Sequence, residues 1–241
     1  MKTNPCQTKS SVKEIRERFD SDVERFSNLE TGQQTTIDAP LCLELITEAA
    51  YHVNPGAKSV LDIGCGAGNY TIKLLSKIPD LDCFLIDLSA PMLSKAKERI
   101  AVSTMGTVTT VQGDIRELNL EKESFDIIMA GAVFHHLRTE DEWYSVFRKV
   151  FEALKPGGSV WISDLVIHES ENINKMFWSR YGNYLKELGG DDYRDKVLTY
   201  VEKEDSPRSV NFQLKMLEKA GFSRTEILHK NSCFAAFGAI K

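Results

Sequence analysis

The chain has 241 residues, of which 42% are hydrophobic and 27% are charged, and its formal net charge is −5. This length predicts one α/β domain with a buried core and one appended subdomain, because two full domains would each have little interior. The acidic balance, with lysines and arginines scattered among acidic residues, argues against nucleic acid as a partner.

The five cysteines are widely spaced and contain no CxxC pair. We therefore expect reduced thiols in a cytoplasmic protein, with neither a disulfide framework nor a metal site. No apolar stretch approaches eighteen residues, so neither a signal peptide nor a membrane span is expected.

Strand-like and helix-like segments alternate from Ser59 onward, which predicts a parallel sheet with helices on both faces. The predicted strands are 59–63, 83–86, 108–111, 127–130 and 160–162. The predicted helices between them are a segment from the glycine turn to about 76, a segment at 90–100, and a segment from the Thr139 capping box to about 154.

The flanking segments have a different pattern. An amphipathic helix is predicted from Val12 to about Leu29, and the charged and aromatic tract at 169–205 predicts a helical insertion. Ser206-Pro207 is predicted to start another helix, and Gly221 to end it. Two short β-like segments, 225–228 and 234–240, then predict an antiparallel hairpin.

The most informative segment runs from Val60 to Asn69, where a buried strand ends in a glycine-rich turn and a helix begins. Glycines at alternate positions (Gly64, Gly66 and Gly68) permit a tight turn and a close approach to a ligand, and the helix N-terminus adds unpaired N–H donors. The spacing is GxGxG with an acid two residues earlier, whereas dinucleotide sites have GxGxxG. Asp62 is that acid, and it either orders the turn or contacts the ligand.

Two further acids lie at the carboxyl edge of the predicted sheet. Asp87 ends the second strand a little over twenty residues after the glycine turn, where a carboxylate reaches the hydroxyls of a ribose. Asp114 follows the third strand and is placed to accept a hydrogen bond from an adenine amino group. The fourth strand ends in Ala130-Gly131-Ala132, whose small side chains leave room for a ligand.

These motifs resemble, from Ser59 to Val166, those of the class I S-adenosylmethionine-dependent methyltransferases. The resemblance implies a Rossmann-like, mostly parallel sheet of seven strands with an antiparallel last strand, and S-adenosylmethionine as cofactor. It also implies that Gly64 and Gly66 approach the amino-acid part of the cofactor, and that adenine lies between the side chains after the second and third strands. The expected cofactor-binding residues are Asp62, Gly64, Cys65, Gly66, Asn69, Asp87, Leu88, Met92, Asp114, Ile115 and Ala130. Cys65 is interpreted as a small filler between glycines.

The resemblance divides the chain into four segments. These are an N-terminal helical lid with the first core helix at 1–54, the cofactor-binding α/β core at 55–168, an inserted helical lid at 169–205, and the last helix with the hairpin at 206–241.

A narrower likeness concerns Arg18-Phe19-Asp20, the chain length, the helical insertion and Lys219 to Phe222. This layout is similar to that of the carboxy-S-adenosylmethionine synthases, which implies a carboxylated sulfonium product used in tRNA modification. Such a product needs a cation for its extra carboxylate, and Arg180, Arg194 and Arg208 are available. The tract from Asp191 to Pro207 departs from the pattern of those synthases.

The reaction expected from the resemblance is in-line methyl transfer to a small organic acceptor. A general base is needed only if the acceptor must lose a proton. His135 and His136, after the fourth strand, are the candidates, and His135 is the predicted base. The alternative for His135 is a hydrogen bond that holds its loop. The expected substrate-binding residues are Phe19, His135, Trp178 and Tyr181, although the aromatic set of the insertion also fits the core of a lid. Asp164 either faces the pocket or caps a turn.

Two other classes of function remain open. One is a protein that binds S-adenosylmethionine without catalysis, and the other is a nicotinamide dehydrogenase, against which the glycine spacing and the C-terminal hairpin argue. The oligomeric state is left open, with a homodimer among the options.

Overall fold

The computed structural model describes residues 9–28 and 33–241. Its helices are α1 (Val12–Asp20), α2 (Val23–Ser27), α3 (Ala39–Val53), α4 (Asn69–Leu75), α5 (Ala90–Ala101), α6 (Glu140–Ala153), α7 (Glu171–Glu204) and α8 (Val210–Ala220). Its strands are β1 (Ser59–Ile63), β2 (Asp82–Asp87), β3 (Val108–Gln112), β4 (Phe125–Gly131), β5 (Leu154–Leu165), β6 (Arg224–Asn231) and β7 (Phe234–Ile240).

The strands form one sheet in the order β3-β2-β1-β4-β5-β7-β6. Strand β1 pairs in parallel with β2 and β4, whereas β7 runs antiparallel to both β5 and β6. All five residues of β1 are buried, as expected for a central strand covered on both faces. The predicted seven-stranded sheet with an antiparallel last strand is thereby confirmed.

Two apolar layers cover the sheet. On one face, α6 and α8 contribute large buried side chains such as Trp143, Phe147 and Leu217. On the other face, α3, α4 and α5 contribute residues such as Ile46, Leu74 and Ile100. The carboxyl ends of the parallel strands remain between these layers as one edge, which is where ligands bind in open α/β sheets.

The predicted helix from Val12 to about Leu29 is two helices in the structure, and Leu29 lies outside the described residues. A Ser11–Glu14 capping box starts α1. The hydroxyl of Ser21 donates to the carbonyl of Arg18 at 2.7 Å and satisfies the last turn. Helix α1 ends at this point, and α2 begins after Asp22, whose φ of −125° and ψ of 21° are not helical.

The predicted helical insertion at 169–205 is helix α7, which Gly190 interrupts with a φ of 85°. Buried residues on both sides of the break, including Tyr181, Leu185 and Val197, pack with Phe234 of β7. This third apolar cluster anchors α7 over the carboxyl edge of the sheet. Within residues 9–28 and 33–241, no helix combines the length and apolar character needed to cross a membrane.

The predicted start of the last helix at Ser206-Pro207 is wrong. Ser209 is the N-cap, because its hydroxyl accepts a hydrogen bond from the Phe212 N–H, and Gly221 ends the helix as predicted. The N–H of Ser206 donates instead to the carbonyl of His135 at 2.6 Å. This bond holds the segment before α8 across the sheet edge in a non-helical conformation.

Candidate functional site

A cavity of about 230 Å³ lies at the carboxyl edge of the sheet. Its floor is formed by the segments that follow β1, β2, β3 and β4, and its roof by α1, α2 and α7. The glycine turn lies at one part of the wall, and His135 and His136 lie at another. The predicted lid and the predicted cofactor corner therefore enclose a single space.

The glycine turn presents bare backbone to this cavity. Gly64 and Gly66 have φ values of 64° and 51°, which side chains rarely adopt. A Cβ atom on Gly66 would meet no protein atom within 4 Å, so open space lies in front of it, whereas one on Gly64 would lie 2.4 Å from Val133. The turn thus has the shape of a cradle for a ligand that approaches the backbone closely.

Asp87 lines the cavity at the end of β2, as predicted. Its Oδ2 accepts a hydrogen bond from the Gly66 N–H, and its Oδ1 accepts one from the Ser89 N–H, both at 2.8 Å. Burial raises the pKa of Asp87, and the two N–H donors act in the opposite direction. Asp87 therefore orders the glycine turn and also faces the cavity, with oxygen lone pairs left for ligand hydroxyls.

Asp62 does not line the cavity. It is buried beneath the turn, where it accepts a hydrogen bond from the Thr71 hydroxyl of α4 at 2.7 Å. Burial raises the pKa of Asp62 to about 7. Of the two roles left open by the sequence, this placement favours ordering of the turn.

Cys65 and Asn69 both line the cavity. Burial raises the pKa of the Cys65 thiol well above its usual value, which suits a small filler and not a nucleophile. The Asn69 amide donates to the carbonyl of Phe26 at 3.0 Å, and its oxygen accepts from Arg99 at 2.8 Å. Asn69 therefore ties the glycine corner to the lid helix α2.

Asp114 lines the cavity but is paired with a neighbour. The guanidinium Nε of Arg116 lies 3.0 Å from each of its carboxylate oxygens, and the Arg116 N–H adds a third bond. Burial alone would raise the pKa of Asp114, but these bonds outweigh it and hold the pKa low. The ion pair occupies much of the acceptor capacity that the predicted adenine contact would need.

Apolar side chains line the cavity between these acids. Leu88, Met92 and Ile115 do so as predicted. Ala130 does not, because it is buried in the core cluster beside α6, and its neighbours Gly131 and Ala132 reach the cavity instead. The predicted space at the end of β4 therefore lies one residue further along the chain.

Of the three predicted substrate-binding aromatics, two line the cavity and one does not. Phe19 and Tyr181 line the cavity, whereas Trp178 packs against Tyr181 within the α7 cluster and does not line it. The Tyr181 hydroxyl donates to the carbonyl of Thr35 at 2.9 Å. Phe19 lies 6.3 Å, centroid to centroid, from the ring of His136.

His135 is buried among acids. Its Nδ1 bonds to a carboxylate oxygen of Asp164, and its Nε2 lies 3.6 Å from Oδ1 of Asp205. Burial alone would lower the pKa of His135, but the two carboxylates outweigh it and raise the pKa to about 9. A histidine that keeps its proton at neutral pH is a poor proton acceptor, so the geometry favours the alternative in which His135 holds its loop.

Sequence reasoning missed Asp205, Arg116 and Tyr200, all of which line the cavity. Asp205 was assigned only to the end of the insertion, and nothing in its local sequence connects it with a histidine about 70 residues earlier. Arg116 had a local signal that was overlooked, since a cation two residues after a loop acid can fold back onto it.

Comparisons with known proteins agree with the fold. Residues 60–158 match the model of a family described as methyltransferase domain. A carboxy-S-adenosyl-L-methionine synthase of Vibrio atlanticus is 25% identical over 187 residues, covering 76% of each chain. A demethylmenaquinone methyltransferase of Lactococcus lactis is 28% identical over 173 residues, covering 70% of this chain and 67% of that one.

The solved structure of human N-acetylserotonin methyltransferase in complex with SAM has the same fold. Its TM-score is 0.63 at 17% identity, over 96% of this chain and 59% of the human one. The fold and the glycine corner define a Rossmann-like methyltransferase domain. Residues 60–158 form a methyltransferase domain, the chain is similar to class I S-adenosylmethionine-dependent methyltransferases, and S-adenosylmethionine is its cofactor.

Proposed function

We propose that the protein transfers the methyl group of S-adenosylmethionine to a small organic acceptor inside the enclosed cavity. The observation that carries this proposal is the continuity of the cavity, which runs from Gly66 and Asp87 to Phe19 and Tyr181 beneath the helical roof. A roof that contributes side chains to the same space as the cofactor corner suits an acceptor small enough to be enclosed.

Bound S-adenosylmethionine supplies a methyl group that is already activated by its positive sulfur. The residues of this chain therefore have to bind, orient and exclude water. Gly64 and Gly66 provide the close approach, Asp87 provides acceptors for ribose hydroxyls, and Leu88 and Met92 provide an apolar surface for adenine. Orientation of this kind accounts for roughly 7 to 11 kcal/mol of barrier lowering in well-ordered cases.

A second candidate function, synthesis of a carboxylated sulfonium, is favoured by the likeness to the synthase from Vibrio atlanticus. That chemistry requires a cation for the added carboxylate. Arg180, Arg194 and Arg208 do not line the cavity. We therefore place methyl transfer first.

The arginines that do line the cavity in the described part of the chain already have carboxylate partners. Arg18 pairs with Glu204, Arg25 with Asp22, and Arg116 with Asp114. The added carboxylate of a carboxylated product would have to displace one of these protein carboxylates in order to pair with an arginine. A transferred methyl group needs no such cation.

Mass spectrometry distinguishes the candidates. The purified protein is incubated with S-adenosylmethionine and metabolite extracts, and products are searched for a gain of about fourteen mass units on the acceptor, the mass difference between CH3 and H. A gain of about forty-four units on the cofactor would identify the carboxylated product instead. Tight binding of S-adenosylhomocysteine by calorimetry with no transfer to any extract would favour the non-catalytic alternative, and tighter binding of a nicotinamide cofactor would overturn the assignment.

A further inference from the structure

Three potential metal ligands meet on one side of the cavity. These are His135, His136 and Asp205, each of which offers one ligand atom, and the three ligand atoms lie within 4.8 Å of one another. The 3₁₀ turn after β4 supplies both histidines, and the segment after α7 supplies the aspartate. The expectation from the sequence that there is no metal site rests on cysteine spacing alone.

The separations within this cluster suit a tetrahedral ion. Oδ1 of Asp205 lies 3.2 Å from His136 Nδ1 and 3.6 Å from His135 Nε2. Two ligands of a tetrahedral Zn²⁺, each at 2.0–2.2 Å, are about 3.3 Å apart. Nδ1 of His136 is also fully buried without an aligned hydrogen-bond partner among the described residues, so it has a lone pair or proton to satisfy.

The surroundings of the cluster are those of a metal ligand set. Nδ1 of His135 bonds to Asp164, so Nε2 is the nitrogen that faces Asp205, and a metal ion bound there would displace the proton on Nε2. A carboxylate on the far nitrogen of a ligating histidine fixes the ring and raises its basicity. Asp164 is itself held by the N–H groups of His135 and Leu165, at 3.0 and 2.8 Å.

The cluster faces the cavity. His135, His136 and Asp205 all line it, in company with Phe19 and the glycine turn. Three protein ligands with one open position are the arrangement of catalytic zinc sites, whereas structural sites have four. The open position would therefore face the space in which the acceptor is held.

We propose that His135, His136 and Asp205 bind one Zn²⁺ ion, with Asp164 as the positioning residue, and that the ion binds the oxygen of a hydroxyl acceptor. This inference rests on the proposed function and narrows the acceptor class to oxygen nucleophiles. The ion lowers the pKa of the bound hydroxyl, whose proton leaves to water. The acceptor oxygen then forms a bond to the methyl carbon, the carbon–sulfur bond breaks, and its electron pair stays on sulfur as a neutral thioether.

The test uses the full chain, stripped with a chelator and titrated with ZnCl2 by calorimetry and with CoCl2 by visible absorption. One equivalent of each metal is expected to bind, and Co²⁺ is expected to show the intense bands of a tetrahedral site. Asp205→Asn and His136→Phe each remove one ligand, and His136→Phe keeps a ring against Phe19. Both are expected to weaken metal binding by more than about a hundredfold, and Asp164→Asn by about 10- to 100-fold.

The matched control is His229→Gln. His229 Nε2 lies 2.8 Å from Oδ2 of Asp38, so the chain has a second histidine–aspartate pair, and this pair is not part of the cavity lining. This variant is expected to bind metal as the parent does. Failure of the stripped parent to bind one equivalent, or equal binding by Asp205→Asn and His136→Phe, would overturn the proposal.

S-adenosylhomocysteine binding by the same samples separates the two proposals. If the parent binds S-adenosylhomocysteine normally but binds no metal, the zinc proposal is wrong and the methyl-transfer proposal is retained. Failure of the parent itself to bind S-adenosylhomocysteine would instead contradict the proposed function. Circular dichroism checks that each variant is folded. If either Asp205→Asn or His136→Phe does not fold, the other variant still tests the zinc site.

Discussion

The two sides of the cavity are built in different ways. On the glycine side, Asp87 bonds to groups 21 and 2 residues away, and Asp62 bonds to a group 9 residues away. On the roof side, Arg18 bonds to Glu204 across 186 residues, and Tyr181 bonds to the carbonyl of Thr35 across 146 residues. The glycine side is therefore set by local sequence, and the roof side is set only when distant segments have packed.

We expect this contrast to separate cofactor binding, on the glycine side, from enclosure of the acceptor, on the roof side. A locally built corner keeps its shape when the roof opens, because few of its hydrogen bonds reach the roof. Asn69 is an exception, since it bonds to the carbonyl of Phe26 in α2. We therefore expect changes in the corner to affect cofactor affinity or global stability, and changes in the roof to affect local opening and acceptor retention.

The largest expected effect concerns Asp62 and pH. Its pKa is about 7 in the folded protein and is 3.8 in the unfolded reference, so the folded state binds more protons between these values. Stability contributed by this group is therefore lost as the pH rises from about 4 to 7, by on the order of 3 to 4 kcal/mol. In urea unfolding, Asp62→Asn should abolish this pH slope, the fall in the free energy of unfolding with rising pH, because the amide stays neutral.

The same variant distinguishes a structural acid from a ligand-binding one. Asp62 is buried under the turn, so Asp62→Asn should keep S-adenosylhomocysteine affinity near that of the parent. A large loss of affinity with an unchanged pH slope would show that Asp62 contacts the ligand and would contradict the placement beneath the turn.

The second prediction concerns Asp87. Asp87→Ala removes the acceptor for the Gly66 and Ser89 N–H groups together with the predicted ribose contacts. Charge-assisted bonds are each worth about 1.5 to 3 kcal/mol, so calorimetry should show cofactor affinity reduced at least about tenfold.

Asp82→Ala is the matched control for this variant. Asp82 lies at the opposite end of the same strand, where its Oδ1 accepts from the N–H and hydroxyl of Thr107. Its removal should leave cofactor affinity unchanged. Equal losses for the two variants would mean that damage to β2, and not the ribose acid, lowers the affinity.

The same contrast explains what the sequence could and could not predict. The glycine turn and Asp87 depend on spacing within about 30 residues, and the turn and β2 lie where the sequence indicated. The pairing of Asp114 with Arg116 was also local but depended on a side-chain conformation that composition does not report. Asp205 was missed because only the packed fold brings it to His135 and His136.

The errors in the helices have the same origin. Serine residues precede both the predicted and the observed start of α8, and local preference does not choose between Ser206 and Ser209. The choice depends on the carbonyl of His135, which accepts the Ser206 N–H. Likewise, the break between α1 and α2 lies at Asp22, whose φ and ψ are not helical, within a continuous amphipathic pattern.

The third prediction concerns the roof. Arg18 makes a two-pronged bond to the buried carboxylate of Glu204, at 2.6 to 3.0 Å. Arg18→Met leaves that carboxylate without its cation, so hydrogen exchange of α1 should accelerate by about three- to tenfold. Cofactor affinity should change less than in Asp87→Ala.

Arg25→Met is the control for Arg18→Met, because Arg25 pairs with Asp22 of its own segment and not with α7. It should leave α1 exchange close to that of the parent. If the double variant Arg18→Met/Glu204→Gln exchanged faster than Arg18→Met alone, an unpaired buried charge would not be the cause of the opening.

The smallest expected effect is the difference in stability loss between variants of two tyrosines of α7. The Tyr181 hydroxyl donates to the Thr35 carbonyl from a buried position, and the Tyr184 hydroxyl donates to the Gln34 carbonyl in an exposed one. Tyr181→Phe leaves a part-buried carbonyl without its donor and should cost about 1 kcal/mol, or roughly 2 to 4 °C in Tm. Tyr184→Phe should cost less, because water replaces its bond. Equal shifts in thermal unfolding would mean that the roof over Tyr181 opens to water as readily as the surface does.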